Sequence, residues 1–431
     1  MARRTHFKRG AWGVAFKNGK FYDFTDTHVL VIKGWPDPRG WFKRRSHGFK
    51  PTRKFADRLF SQPHFLKDTP APPKPTIPFT LPNGQMILQG VVIPEEKRAR
   101  GEYNGWVART LFTGTIPEEI RQELERFSNR RWHLLNLLAR CPQSLDLSRS
   151  NPALFYALAS NWVYHKPAVT RPMKAARSLI GKKQTVIQGW LGFPATESVR
   201  KLLAKIDAMA VDVESLLYLR EALKNPLCLK LLQHLPRINR QALMIGSDRR
   251  TIEHASPRLL KDVIGISVEM NPEGDPVEVL DAYRLMLDTV RMANIVDWQR
   301  CPRKFTSLQR LQAVHDELSA RMDVVLLREK YELPEKFGEP PFQGTEGIIP
   351  IATPEELCRE GHVQKNCVGS YMTFALEGTQ YFYRVEQPVR ATLSLVLKGE
   401  VWEPDQLFKA CNAPVDPETK KQIFGELLKT R

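Results

Sequence analysis

Gly361-His362-Val363-Gln364-Lys365-Asn366-Cys367-Val368-Gly369-Ser370-Tyr371 is the stretch of this 431-residue chain on which its reading turns. It gathers an imidazole, a thiol and a phenol between glycines, and a short helical pattern beginning at Tyr371 is closed by Gly378. Just upstream, Thr353-Pro354-Glu355-Glu356 supplies an N-cap, a proline for the first helical position and acids for the first turn. That predicts a helix ending near Gly361. Downstream, runs at 380–385, 391–397 and 401–407 predict strands, the last two joined through Lys398-Gly399, and 417–429 predicts a closing helix. With Ile348-Ile349-Pro350-Ile351 as a further strand, residues 347–431 read as an α+β domain with an antiparallel sheet of three or four strands.

Outward from this domain, the proline-bearing segment 333–346 predicts a linker, and 115–332 shows helical periodicity throughout. Thr115 and Pro117 predict the start of a helix running toward Arg140. Later patterns at 152–164, 172–191, 195–209, 213–223, 226–235, 239–245, 257–264, 277–300 and 306–331 are mostly short and bounded by Pro or Gly. They predict a large irregular α-helical domain or a solenoid-like stack rather than a four-helix bundle. Seven prolines between Pro63 and Pro82 make 63–114 a linker or strap, with short strands near 85–92. In 1–62, Asn18-Gly19 between apolar runs predicts a hairpin, 28–32 a third strand, and 34–45 a loop. The fold class expected is therefore multidomain α+β, with a small basic antiparallel β module, the helical domain and the C-terminal α+β domain.

The formal charge is +18, and the first sixty residues hold fifteen Lys and Arg against four Asp and Glu, interleaved with twelve aromatics. A disordered basic tail lacks that apolar content. Clustered cations predict a polyanionic partner, and aromatics beside them suit stacking on unpaired bases. The candidate nucleic-acid-binding residues are Trp35, Arg39, Trp41, Phe42, Lys43, Arg44, Arg45, Lys50, Arg53 and Lys54. The plainer reading packs the same aromatics under a proline-rich loop. No apolar run approaches the roughly 20 residues that span a bilayer, and six scattered cysteines without a C-x-x-C pair fit a reducing, cytoplasmic setting.

Chemistry at the C-terminal segment has three competing readings. A cysteine enzyme would use Cys367 as thiolate, its pKa lowered at a helix start, and His362 as base, with Gln406 or Asn412 orienting. A metal site would draw on Cys358, His362, Cys367 and Cys411, but C-x3-H-x4-C lacks the close cysteine pairs of structural zinc sites, so neither metal nor cofactor is expected. A binding pocket would use Tyr371, Arg390, Trp402, Gln406 and Asn412, with amides for base edges and rings for stacking. The same residues equally suit a buried polar network that fixes the sheet.

The pattern H-x4-C-V-G-S-Y, with Arg390-Ala391-Thr392-Leu393, Trp402, Gln406 and Asn412 after it, resembles the C-terminal domain of the PcfJ-like family over about 347–428. A vaguer likeness extends over about 115–300. Where that family has a glycine after the Gln-containing strand, this chain has Lys409-Ala410-Cys411-Asn412. The resemblance implies a bacterial mobile genetic element, plasmid or phage setting, or a host system acting on one, and leaves enzymatic activity open. The expected function is nucleic-acid binding, with RNA or single-stranded DNA favoured and no membrane partner. The rivals are an enzyme centred on His362 and Cys367, and a scaffold or virion component with a protein partner on the helical surface. Oligomeric state is not legible.

Overall fold

Asn18 and Gly19 both take positive φ, 52° and 69°, the geometry that a two-residue hairpin turn requires. They join β1 (Gly13–Lys17) to β2 (Lys20–Phe24), and β3 (His28–Lys33), β4 (Arg39–Arg44) and β5 (Lys50–Pro51) extend the sheet in sequence order, every pair antiparallel. Residues 39–44 are thus a strand and not the expected loop. Their alternation explains this: Gly40 faces Ile32 and Trp41 faces Val31, so successive residues serve opposite faces. One face is covered by α1 (Lys54–Phe60). Gly40 permits the approach, because a Cβ there would lie 2.6 Å from the Thr52 carbonyl oxygen and 3.1 Å from the Ala56 Cβ.

The structure, a computed structural model, describes residues 13–24, 28–44, 48–52, 54–62, 65–66, 106–160, 172–266, 268–270, 276–278, 281–296 and 303–430. Arg45, Arg53, most of the proline-rich strap and the expected strands near 85–92 lie outside the described residues.

The chain divides into two compact units, Met1–Asn225 with Pro236–Leu243, and Pro226–Leu235 with Met244–Arg431. In the first, Phe21 and Phe60 meet Phe65 and Phe112, and Phe60 meets Trp132, so sheet and helices share one aromatic core. Its helices are α2 (106–113), α3 (Glu118–Glu125), α4 (Arg131–Arg140), α5 (Ser144–Ser150), α6 (Pro152–Ala159), α7 (Pro172–Leu179), α8 (Gln184–Trp190), α9 (Glu197–Leu203) and α10 (Val213–Ala222). Every residue of α6 is buried, which fits its apolar sequence. The single helix expected from Thr115 to Arg140 is two, broken at Arg130 with its left-handed φ of 57°.

The second unit contains α11 (Pro226–Leu232), the end of α12 (Arg240–Ser247), α13 (Arg249–Ile252) and α14 (Pro257–Ile264). A small hairpin, β6 (Val268–Met270) with β7 (Pro276–Glu278), precedes α15 (Ala282–Ile295), α16 (Leu308–Arg321) and α17 (Val324–Lys330). Then follow β8 (Ile348–Pro350), α18 (Pro354–Gln364), a 3-10 turn at Val368–Tyr371, α19 (Met372–Leu376), β9 (Gln380–Val385), β10 (Ala391–Lys398), β11 (Val401–Phe408) and α20 (Pro417–Leu427). The sheet is antiparallel in the order β11-β10-β9-β8, and Lys398-Gly399 turns β10 into β11 with Gly399 at φ 65°. Helices from 115–332 thus fall in both units. In the first unit α1 packs on β3 and β4 and the later helices pack on one another, while in the second α15 and α16 pack against each other and against α18 and the turn after it.

Period two sorts the C-terminal sheet into two faces. Tyr381, Tyr383, Val385, Leu393, Leu395 and Leu407 join Ile423 and Leu427 of α20 in a hydrophobic core. The opposite face carries Phe382, Thr392, Ser394, Gln406 and Phe408, with Ser394 paired to both Phe382 and Gln406 across the strands.

Candidate functional site

Thr353 and Glu356 form a reciprocal capping box at the start of α18, as the local sequence predicts. The helix does not stop at Gly361, however. It runs to Gln364 and closes on Lys365, which takes the left-handed conformation at φ 49°. The asparagine that follows donates its backbone N–H to the Gly361 carbonyl at 3.0 Å, turning the chain back against the helix. Gly361 makes room for this, since a Cβ there would sit 3.3 Å from both the Asn366 oxygen and the Gly369 nitrogen.

That one extra turn of helix separates the expected catalytic pair. Leu357, Cys358, Glu360, Gly361 and Gln364 occupy the buried phase of α18, leaving His362 on the exposed phase. His362 lines a cleft of about 470 Å³ with Gln312, Asp316, Ser319, Lys365 and Cys411. Cys367 instead lines a second, much smaller cleft, of about 30 Å³, with Asn366, Tyr371, Thr392, Ser394, Gln406 and Asn412 among its walls. Cys367, Tyr371, Gln406 and Asn412 therefore meet as expected, while His362 does not join them.

Behind this pocket lies a charged network from a helix 79 residues upstream. The Cys367 thiol donates to Asp288 Oδ2 at 3.4 Å, and the Tyr371 hydroxyl reaches both Asp288 oxygens at 3.0 Å. Arg291 Nη2 donates to Asp288 Oδ1 at 2.7 Å and to Ser370 Oγ at 2.9 Å, and its guanidinium lies 4.0 Å from the centre of the Tyr371 ring. Burial, followed by the Asp288 charge, holds the Cys367 thiol well above its ordinary pKa and does the same to the Tyr371 phenol. The expected lowering at a helix start is overruled: Cys367 begins a single 3-10 turn, whose weak dipole cannot offset desolvation and a neighbouring carboxylate. Protonated, the buried thiol acts here as a hydrogen-bond donor to Asp288.

Two other expected pocket residues serve different parts of the fold. Arg390 grips Glu360, donating from Nη1 to Oε1 at 2.8 Å and from Nη2 to Oε2 at 2.5 Å, and Thr392 adds its hydroxyl to Oε1 at 2.6 Å. Asn366 Nδ2 meets that hydroxyl at 3.3 Å, so the pair braces the pocket wall from behind. Trp402 packs against the hydrophobic core on the other side of the sheet. The β-bulge between Ser394 and Leu395 explains the change of side, since an extra residue in β11 inverts the alternation between Gln406 and Trp402.

On the N-terminal sheet, residues opposite one another share a face. Lys17, Lys20, Lys33 and Arg39 are consecutive partners across β1 to β4, so four cations form one row on the face opposite α1. The next row on that face holds Ala15, Tyr22, Val31 and Trp41, and the one after it Phe24, Val29 and Lys43. The Lys20 ammonium lies 5.2 Å from the Trp41 ring centre, and Tyr22 stacks on Phe24 at 6.0 Å. Asp37 pairs with Arg39 at 2.8 Å and with Lys33 at 3.8 Å.

Of the expected nucleic-acid-binding residues, Arg39, Trp41 and Lys43 belong to this face. Phe42 points the other way and stacks on Phe55 at 4.1 Å, so it is a packing residue. Arg44, Lys50 and Lys54 are exposed at the sheet edge and on α1, and Trp35 is half-buried in the turn before β4. Lys17, Lys20, Lys33 and Tyr22 were not among the expected residues, although the Asn-Gly turn already dictates that Lys17 and Lys20 face each other. The chain matches no protein-family model, no curated protein and no solved structure.

Proposed function

We propose that this chain binds single-stranded nucleic acid, RNA or DNA, on the face of its N-terminal sheet opposite α1. The row Lys17-Lys20-Lys33-Arg39 beside Tyr22 and Trp41 carries the reading. Cations spaced across four strands track a phosphate backbone, and flat rings in the adjacent row offer stacking surfaces that tolerate any base. The resemblance of residues 347–428 to PcfJ-like domains supports a bacterial plasmid, phage or other mobile-element context for that binding.

The test is binding of fluorescent oligo-dT and oligo-U to the full chain over a range of salt concentrations. Lys17, Lys20, Lys33 and Arg39 replaced together by alanine should weaken both and reduce the slope of log K against log salt by about 2–3, at roughly 0.7 for each phosphate no longer neutralised. Lys420 and Lys421, on α20, serve as the control pair and should leave the slope unchanged. An unaltered slope in the quadruple variant would return the basic sheet to a solubility role.

A second reading concerns the small pocket at Gln406 and Asn412, whose amides suit one small polar group of a ligand. Its support is their convergence with Tyr371 and Phe408 around one opening.

A further inference from the structure

Asp288, His315 and Cys367 come from α15, α16 and the turn after α18, and each is more than nine-tenths buried. Their carboxylate, imidazole and thiol donor atoms all lie within 4.8 Å of one another. We propose that these three residues bind a divalent metal ion of the zinc class. The chemistry of the set favours that ion: one thiolate, one imidazole and one carboxylate match the sulfur, nitrogen and oxygen donors that zinc accepts in four-coordinate sites. Harder ions such as magnesium prefer oxygen alone.

Surrounding groups orient the ligands as an outer shell does. Arg291 and Tyr371 hold the Asp288 carboxylate, and the His315 Nδ1 lies 3.3 Å from the Asp316 carboxylate. Binding exchanges the Cys367 proton, released to solvent, for a sulfur–metal bond, and the ion then carries two anionic ligands and one neutral one. Three protein ligands leave a four-coordinate ion one position for water or a bound molecule. Cys367 is the member of the set that also lines the Gln406 and Asn412 pocket, so a molecule held by those amides would lie beside the metal's ligand.

The experiment uses the full chain, stripped with a chelator under reducing conditions and titrated with Co²⁺ and Zn²⁺. The expected result is one tightly held ion per chain, with a thiolate-to-cobalt charge-transfer band that zinc displaces. Cys367→Ser should abolish that band, and His315→Ala and Asp288→Asn should weaken zinc binding by more than the ~10–100-fold typical of an outer-shell change. Tyr371→Phe should weaken it about tenfold. Cys411→Ser, at an exposed thiol, should change nothing. If Cys367→Ser fails to fold, the near-isosteric Asp288→Asn decides, with circular dichroism confirming its fold. Failure to bind cobalt or zinc, or a thiolate band that survives in folded Cys367→Ser, would overturn the site and leave a buried hydrogen-bond network.

Discussion

Replacing Arg390 with alanine should destabilise the C-terminal sheet by about 2–3 kcal/mol. Glu360 is only 4% exposed, and its carboxylate is satisfied by two guanidinium N–H groups and the Thr392 hydroxyl. Removing Arg390 leaves a buried negative charge with one donor. Breaking a buried pair from one side costs about 3–5 kcal/mol, and the figure falls to about 2–3 here because the Arg390 side chain is 30% exposed and water can reach the vacated space. Arg390→Lys keeps the charge but loses the two-pronged fork, and should recover roughly half of the loss. In the double variant Glu360→Gln, Arg390→Ala the stranded charge is gone, so its cost should fall below the sum of the two single changes by about 1–2 kcal/mol.

Because the chain has two units, one melting temperature does not define its stability. Hydrogen exchange of the β9 to β11 amides reads the relevant quantity, and for amides that exchange through opening of the sheet the alanine variant should speed exchange by about 30- to 150-fold. A protein with unchanged exchange in β9 to β11 would refute the brace argument. It would return Arg390 to the role of a ligand-binding residue.

Two further outcomes follow from packing and burial. Gly40→Val should destabilise the N-terminal sheet by about 1–3 kcal/mol, because the new side chain meets the Thr52 carbonyl and Ala56; faster exchange in β3 and β4 checks this, and unchanged exchange would show that α1 moves away freely. Burial pushes the Cys228 thiol up to about 12, and burial together with the Asp323 and Glu355 charges brings the Cys358 thiol to about 12. A folded-state pKa raised in this way contributes stability that is complete below the unfolded thiol value near 8.5 and declines as pH climbs toward the folded one. The urea midpoint of the second unit, followed by hydrogen exchange of its own amides, should therefore fall between about pH 9 and pH 11, and Cys358→Ala should flatten that decline relative to its own value at neutral pH. An identical slope in the variant would refute the assignment.

Local chemistry made much of the fold legible. The Asn18-Gly19 turn, the Thr353 and Glu356 capping box and the Lys398-Gly399 turn each act over a few residues, and each is found where the sequence predicts it. Errors arose where a local rule met a distant surface. Gly361 reads as a helix end but is used for close approach, and this rotates His362 away from Cys367. Asp288, Arg291 and His315 escaped notice because their partners are far along the chain, yet a signal was present. Asp288 falls among the buried Leu285, Met286, Thr289 and Met292 of α15, and His315 among Leu311, Val314 and Leu318 of α16. A titratable group on the apolar phase of a helix must find a partner, and so it marks a network before any neighbour is known.

The same logic distinguishes two kinds of basic residue in the N-terminal part. Total charge treats Lys54 and Lys20 alike, but strand register does not: it aligns Lys17, Lys20, Lys33 and Arg39 in one row and sends Phe42 beneath α1. Four like charges brought side by side repel one another, and Asp37 offsets only the Lys33 and Arg39 end. A polyanion lying across the row, as proposed, would relieve the remaining repulsion at Lys17 and Lys20. The proposed binding would then couple to sheet stability, so an oligonucleotide should slow exchange of the β1 and β2 amides in the wild-type chain and have little effect on them in the quadruple alanine variant. Equal protection in both would place the nucleic acid elsewhere, even if affinity had fallen.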